Sequence, residues 1–204
     1  QGHLYVDGES SKGDGPVIFP ETYLSEVSEI CSLLPVGELE IMAEKLQDLR
    51  ERGGRLFFLG LGGSASNASH ACNDFRKLAG IEAYCPTDNV SEITARANDI
   101  GFGSIFASEF WREEDALFIL SVGGGADGVS ESLVDAVGFA AVKGMEIFGI
   151  VGRDGGYTKL RGDNVLVIPT VSPDRVTPHT EAFQSILLHL LVSHPTLQVG
   201  KTKW

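Results

Sequence analysis

The stretch Arg55–Lys77, RLFFLGLGGSASNASHACNDFRK, decides how the chain folds. Leu56 to Leu61 is an apolar run of strand length, and Gly62, Gly63 and Ser64 follow it without a polar linker. From Ser64 the residues are small and helix-compatible, so the spacing predicts strand, tight glycine turn, helix. Such a turn lets backbone N–H groups approach an anion closely, and the helix N-terminus adds the positive end of its dipole. His70 and Asp74 stand four residues apart, which places them on one face of that helix. A phosphate cradle with a His/carboxylate pair behind it points to an enzyme acting on a small phosphorylated molecule.

The same alternation continues outward. Downstream, Ile81–Cys85 reads as a short strand with Pro86–Asn89 as its exit loop. A helix runs from Ser91-Glu92 to near Asn98–Gly101, and Ser104–Trp111 reads as another short helix. Ala116–Val122 is a second buried strand that runs into a second glycine loop, Gly123–Gly128. Helix 129–143, strand 146–151, loop 152–156 and strand 164–168 complete a pattern that predicts a doubly wound parallel sheet. Ligands in such sheets sit beyond the carboxyl ends of the strands, where both glycine loops lie.

Upstream, two amphipathic helices are predicted within residues 20–52. One carries Tyr23, Leu24, Val27, Ile30, Leu33 and Leu34, the other Leu39, Ile41, Met42, Leu46 and Leu49. They are expected to cover the core or to pack subunits together. Residues 1–19 read as a tag-like scar, Gln1-Gly2-His3, followed by a flexible arm rich in Gly, Ser and Asp. At the other end, Thr177-Pro178 reads as an N-cap with proline at the first helical position, and Pro195 closes the helix. Its predicted buried stripe is Ala182, Phe183, Ile186, Leu187, Leu190 and Leu191.

The bulk properties exclude several classes. A chain of 204 residues is long enough for one well-cored α/β domain. A net charge of −12 without any basic run argues against a nucleic-acid surface. The apolar runs are too short for a membrane span. Cys31, Cys72 and Cys85 lack C-x-x-C spacing, so neither a disulfide framework nor a zinc ribbon is expected. A reduced, cytoplasmic location is the expectation. Gly60-Leu61-Gly62-Gly63-Ser64-Ala65 also satisfies the dinucleotide fingerprint. The acidic residue that fingerprint wants, Asp88, falls late and in a loop, so no nucleotide cofactor is expected.

On the last helix Glu181 and His189 are eight residues apart and roughly in line. Ionisable groups bordering an apolar stripe need a partner or a ligand. With His70 and Asp74 they could jointly surround a divalent metal. His179 has three open readings: substrate contact, helix cap or exposed residue. Arg153–Gly156 reads as a turn whose loop could close the pocket.

From about Ser25 onward the chain resembles the sugar isomerase (SIS) domain, and specifically the phosphoheptose isomerase family. GLGGSASNASHACND, ARANDIGFGSIFASEF, SVGGGADGVSESLVDAV, KGMEIFGIVGRDGG and the helix containing His189 carry the resemblance. It implies a three-layer αβα fold, a homotetramer with sites at subunit interfaces, and conversion of sedoheptulose 7-phosphate to an aldose heptose 7-phosphate. It further implies substrate contacts at Gly62, Gly63, Ser64, Asn98, Asp99, Ser121, Gly123, Gly124 and Gly125. Asp74 and His189 match catalytic positions, and zinc ligands would be His70, Asp74, Glu181 and His189.

Four departures stand out. Leu61 replaces a usual Asn, Asp74 is one methylene shorter than the usual Glu, and Glu181 replaces a usual Gln. The serine-rich phosphate loop reads Ser121-Val122-Gly123-Gly124-Gly125-Ala126, which loses two hydroxyl donors. Backbone N–H groups of the triple glycine could replace them as a nest; equally open are a phosphate held differently and a different substrate. The departures keep a second reading open, a non-catalytic sugar-phosphate sensor or protein-binding module on the same fold.

The chemistry needs an acid and a base on opposite sides of a two-carbon unit, because ketose–aldose isomerisation moves one proton between carbons and another between oxygens. A carboxylate and an imidazole suit that task. A metal held by the same residues would polarise the carbonyl, and zinc suits a two-histidine, carboxylate set.

Overall fold

The computed structural model of the protein describes residues 18–106 and 110–201; the tag-like residues and most of the predicted arm lie outside them. Five strands form a wholly parallel sheet: β1 (Leu56–Gly60), β2 (Ala83–Tyr84), β3 (Ala116–Ser121), β4 (Glu146–Val151) and β5 (Asn164–Val167). Their order is β2-β1-β3-β4-β5. This is the 2-1-3-4-5 doubly wound order rather than the 3-2-1-4-5-6 order of dinucleotide folds, and its reversal falls between β1 and β3.

Strand pleating sends alternate side chains to opposite faces. Phe58, Phe118 and Phe148 share one register row across β1, β3 and β4. Their rings stack at 5.1 and 6.1 Å, and Phe75 meets Phe58 edge-on at 5.0 Å. Over this face pack α1 (Phe19–Leu33), α2 (Val36–Glu51), α3 (Gly63–Asp74) and α7 (Val176–Ser193). The other face, with Phe57, Leu59, Leu117, Ile119 and Ile147, is covered by α5 (Glu131–Lys143), Trp111 and Phe106. Beside it lies α4 (Val90–Asp99), whose Ile93 and Ala97 are half-buried there. The result is the three-layer αβα arrangement. No helix among the described residues is long and apolar enough to cross a membrane.

Several elements differ from their predicted form. Ile81–Cys85 contributes only the two-residue edge strand β2. Of the predicted helix Ser104–Trp111, residues 107–109 lie outside the described set; among the described ones a 3₁₀ turn spans Phe102–Ile105 and Trp111 lies outside any helix. The loop after β4 runs into a short helix, α6 (Gly156–Arg161), that its two glycines conceal. Helix α7 begins at Val176, led in by a 3₁₀ turn at Pro173–Arg175, so Thr177 sits inside the first turn instead of capping it. The buried stripe of α7 is Phe183, Gln184, Leu187, Leu188, Leu191 and Val192; Ala182, Ile186 and Leu190 face outward. On α1 only Ile30 is buried, and Leu24 and Leu33 are exposed.

Candidate active site

The β1/β3 reversal opens a cleft of about 850 Å³ beyond the carboxyl ends of the strands. One wall is Leu61 and Ser64 from the β1–α3 turn, and Thr177 of α7 stands beside them. The other is built from the Ser121–Ala126 loop, Ser130, and Arg153 and Asp154 after β4.

The triple glycine is bent into place by its neighbours. A Cβ on Gly124 would collide with the Gly155 carbonyl, and one on Gly125 would sit 3.0 Å from Val134 Cγ2. Both residues adopt positive φ, 70° and 82°, which glycine tolerates without strain. The Gly124 N–H donates to Ser121 Oγ at 3.0 Å, while Thr158 donates through both its N–H and its hydroxyl to the Gly124 carbonyl. A full three-amide nest is not available: the Gly124 N–H is already bonded, and of the three glycines only Gly123 and Gly125 keep N–H groups without a partner among the described residues.

At the other turn, a Cβ on Gly63 would sit 2.5 Å from Glu181 Oε2, so the Glu181 carboxylate lies against the N-terminus of α3. A negative group already faces that helix dipole. Ser64 is buried, and its hydroxyl donates to Gln184 Oε1 at 3.0 Å. Asn67 Nδ2 donates to the same oxygen at 3.1 Å and to the Glu181 carbonyl at 2.9 Å. Gln184, fully buried, donates in turn to the Ile150 carbonyl at 3.3 Å. These bonds hold α3 and α7 side by side.

Further along the same two helices, about 10 Å by helical rise from Gly63 to His70, the seam carries the titratable groups. Asp74 is buried at 7% exposure, and its Oδ2 lies 3.2 Å from His70 Nε2 and 3.5 Å from His189 Nδ1. Asn73 Nδ2 donates to the other oxygen at 3.1 Å. The two imidazole side chains are 58% and 54% exposed. One ligand atom from each of His70, Asp74 and His189 falls within 4.8 Å of the others. The helix widens to π geometry over Phe75–Ala79, directly after Asp74; such turns recur at functional positions.

The predicted residues thus divide. His70, Asp74 and His189 come together, and Glu181 is not in their group. Ser64, Ser121, Gly123 and Gly125 line the cleft, whereas Asn98 and Asp99 are exposed at the end of α4, outside the cleft lining. His179 is neither a cap nor an exposed residue. It is buried, its Nε2 is 2.7 Å from Glu26 Oε2, and its Nδ1 has no partner among the described residues. Arg175 also grips Glu26 with two bonds, at 2.8 and 2.6 Å. Hydrogen bonds from Arg175 and then His179 hold the Glu26 carboxyl at about 2, below its usual range. Burial pushes the Cys72 thiol up to about 11, and Cys72 is not in the group formed by His70, Asp74 and His189.

The profile of the SIS domain matches residues 22–152. Phosphoheptose isomerase of Pelodictyon phaeoclathratiforme is 34% identical over 165 residues, 76% of each chain. Lincomycin biosynthesis protein LmbN of Streptomyces lincolnensis is 32% identical over 190 residues, 88% of this chain and 67% of its own. Among solved structures, phosphoheptose isomerase GmhA from Neisseria gonorrhoeae has a TM-score of 0.73 at 24% identity, covering 86% of this chain and 95% of its own; that likeness carries the fold. The chain belongs to the SIS domain family and, within it, to the phosphoheptose isomerases. It is accordingly an enzyme of the isomerase class.

Proposed function

We propose that the enzyme is a phosphosugar isomerase that converts sedoheptulose 7-phosphate, or a close heptose phosphate, to a D-glycero-heptose 7-phosphate through an enediol, in activated heptose biosynthesis. The observation that carries this reading is the buried Asp74 carboxylate between two imidazoles, 3.2 and 3.5 Å away, on the helix that leaves the switch-point cleft.

In this mechanism Asp74 and His189 are the proton carriers. One takes the proton from C1 of the ketose and returns it to C2, while the other serves the proton that moves between O1 and O2. Asn73, bonded to Asp74 Oδ1, leaves Oδ2 as the oxygen facing both imidazoles. The shorter Asp in place of Glu keeps its carboxylate within reach of both rings. Two imidazoles and one carboxylate are the donor set of catalytic zinc sites with an open position. His70, Asp74 and His189 would hold the ion, and Glu181 would join them only by changing rotamer. When bound, zinc supplies polarisation of the substrate carbonyl. The outward apolar ridge Ala182, Ile186, Leu190 runs beside His189, and Leu24 and Leu33 are open on α1. These faces support a homotetramer in which neighbouring subunits shield the exposed imidazoles from water.

The test is NMR of metal-analysed protein with sedoheptulose 7-phosphate in deuterated buffer. Aldose anomeric signals with deuterium at C2 are expected. No aldose, with or without added zinc, would remove the reading.

A further inference from the structure

We infer that Arg153 is the phosphate anchor of this enzyme, taking over from hydroxyls that the Ser121–Ala126 loop lacks. The inference rests on the phosphosugar reading above and names the residue that makes the phosphate end of that site.

Among the described residues Arg153 is the one cation lining the cleft, in a chain of net charge −12. It forms no ion pair among the described residues, although nearly every other arginine reaches a carboxylate or carbonyl. Its Cδ lies 3.7 Å from where a Gly123 Cβ would be, so the side chain leans over the glycine loop. Across that loop are the N–H groups of Gly123 and Gly125, unpartnered among the described residues, and the Ser121 hydroxyl, whose oxygen already accepts from Gly124 and whose proton has no acceptor among those residues. The acid beside it, Asp154, is turned back to accept from the Gly156 N–H at 3.1 Å. A guanidinium fork, one hydroxyl and two amides make a donor set for a phosphoryl dianion.

Two independent features agree. Arg153 (φ 53°) and Ser130 (φ 56°) are the non-glycine residues at positive φ among those described, and both line this cleft. A side chain kept at a position that glycine would fill more comfortably is evidence that the side chain has a task. The competing anion site, the N-terminus of α3, faces the Glu181 carboxylate, which repels a phosphate there. The phosphate is thereby directed to the β3 and β4 loops.

The decisive variant is Arg153→Gly, because it relieves the backbone strain while removing the cation. Thermal unfolding is followed for wild type and variant with inorganic phosphate, sedoheptulose 7-phosphate and unphosphorylated sedoheptulose, and turnover is measured in parallel. The expected result is a variant melting at or above the wild-type temperature without ligand, with the stabilisation by both phosphate ligands lost. Its KM for the sugar phosphate should rise by about 10-fold or more, with a smaller fall in kcat, and Arg153→Lys should fall between the two. Equal phosphate stabilisation in wild type and Arg153→Gly, or none in wild type, would overturn the assignment. Wild-type phosphate binding lost in the variant, but with no turnover in either, would remove the isomerase reading and leave the anchor standing.

Discussion

The sheet-edge cleft and the α3–α7 seam, which the proposed mechanism joins into one site, are built by opposite means. The cleft is made from backbone. Its glycines are compressed against Gly155 and Val134, the Gly124 N–H is bonded within the loop while those of Gly123 and Gly125 have no partner among the described residues, and one cation among the described residues leans across it. The seam is made from side chains. Asp74 is buried at 7% exposure between imidazoles that are more than half exposed, on helices locked together by Gln184. Backbone donors hold a fixed anion well and move no protons; paired carboxylate and imidazole move protons and hold an anion poorly. The proposed mechanism assigns recognition to the first region and chemistry to the second, and perturbations should separate along that line.

The largest effect is expected at the seam. Asp74→Asn keeps the size and loses the basicity, so kcat should fall at least ~10²-fold while the substrate dissociation constant moves little. His189→Ala should do the same and also lower the zinc content measured by elemental analysis. Equal losses in binding would erase the division.

Next in size is the joint between the regions. Gln184→Ala leaves Ser64 and Asn67 without their shared acceptor at a fully buried position. A stability loss of about 2–3 kcal/mol in urea unfolding is expected, and both kcat and KM should suffer because cleft and seam lose their common alignment.

Ser121→Ala belongs to the cleft alone. It removes one donor and releases the Gly124 N–H, so KM should rise roughly 5-fold, the effect of one modest hydrogen bond, with kcat nearly retained. A large fall in kcat instead would place chemistry where only recognition is expected.

The smallest effect lies outside both. Glu26 has its carboxyl held at about 2, against 4.5 ordinarily, by Arg175 and His179. A depressed carboxyl stabilises the fold above its unfolded value, and that contribution is lost as pH falls from about 4.5 towards 2. Glu26→Gln should flatten this part of the acid-unfolding profile and leave turnover at neutral pH unchanged.

Much of the fold is legible in the sequence because buried parallel strands are continuous apolar runs. Leu56–Gly60, Ala116–Ser121 and Glu146–Val151 declare themselves, and glycine loops mark the ligand edge. What stays hidden depends on tertiary partners. The α7 stripe is shifted because Gln184 is a polar core residue whose partners come from α3 and β4, invisible along one helix. Arg153 reads as a turn residue because positive φ and an open cleft are properties of the folded chain. Of the site, the i, i+4 spacing gives His70 and Asp74, whereas the closeness of His189 rests on the parallel packing of α7 along α3. Glu181 illustrates the limit: its spacing from His189 suits a shared ligand set, yet its carboxylate turns to the glycine turn.

The most direct test of the division between regions is exchange of solvent deuterium into sedoheptulose 7-phosphate by Asp74→Asn, measured alongside its affinity for the same sugar. Affinity within about 3-fold of wild type, with exchange below about 1% of the wild-type rate, is the predicted outcome. Exchange that persists in the variant, or that disappears only because binding disappears, would contradict the assignment of proton transfer to the α3–α7 seam.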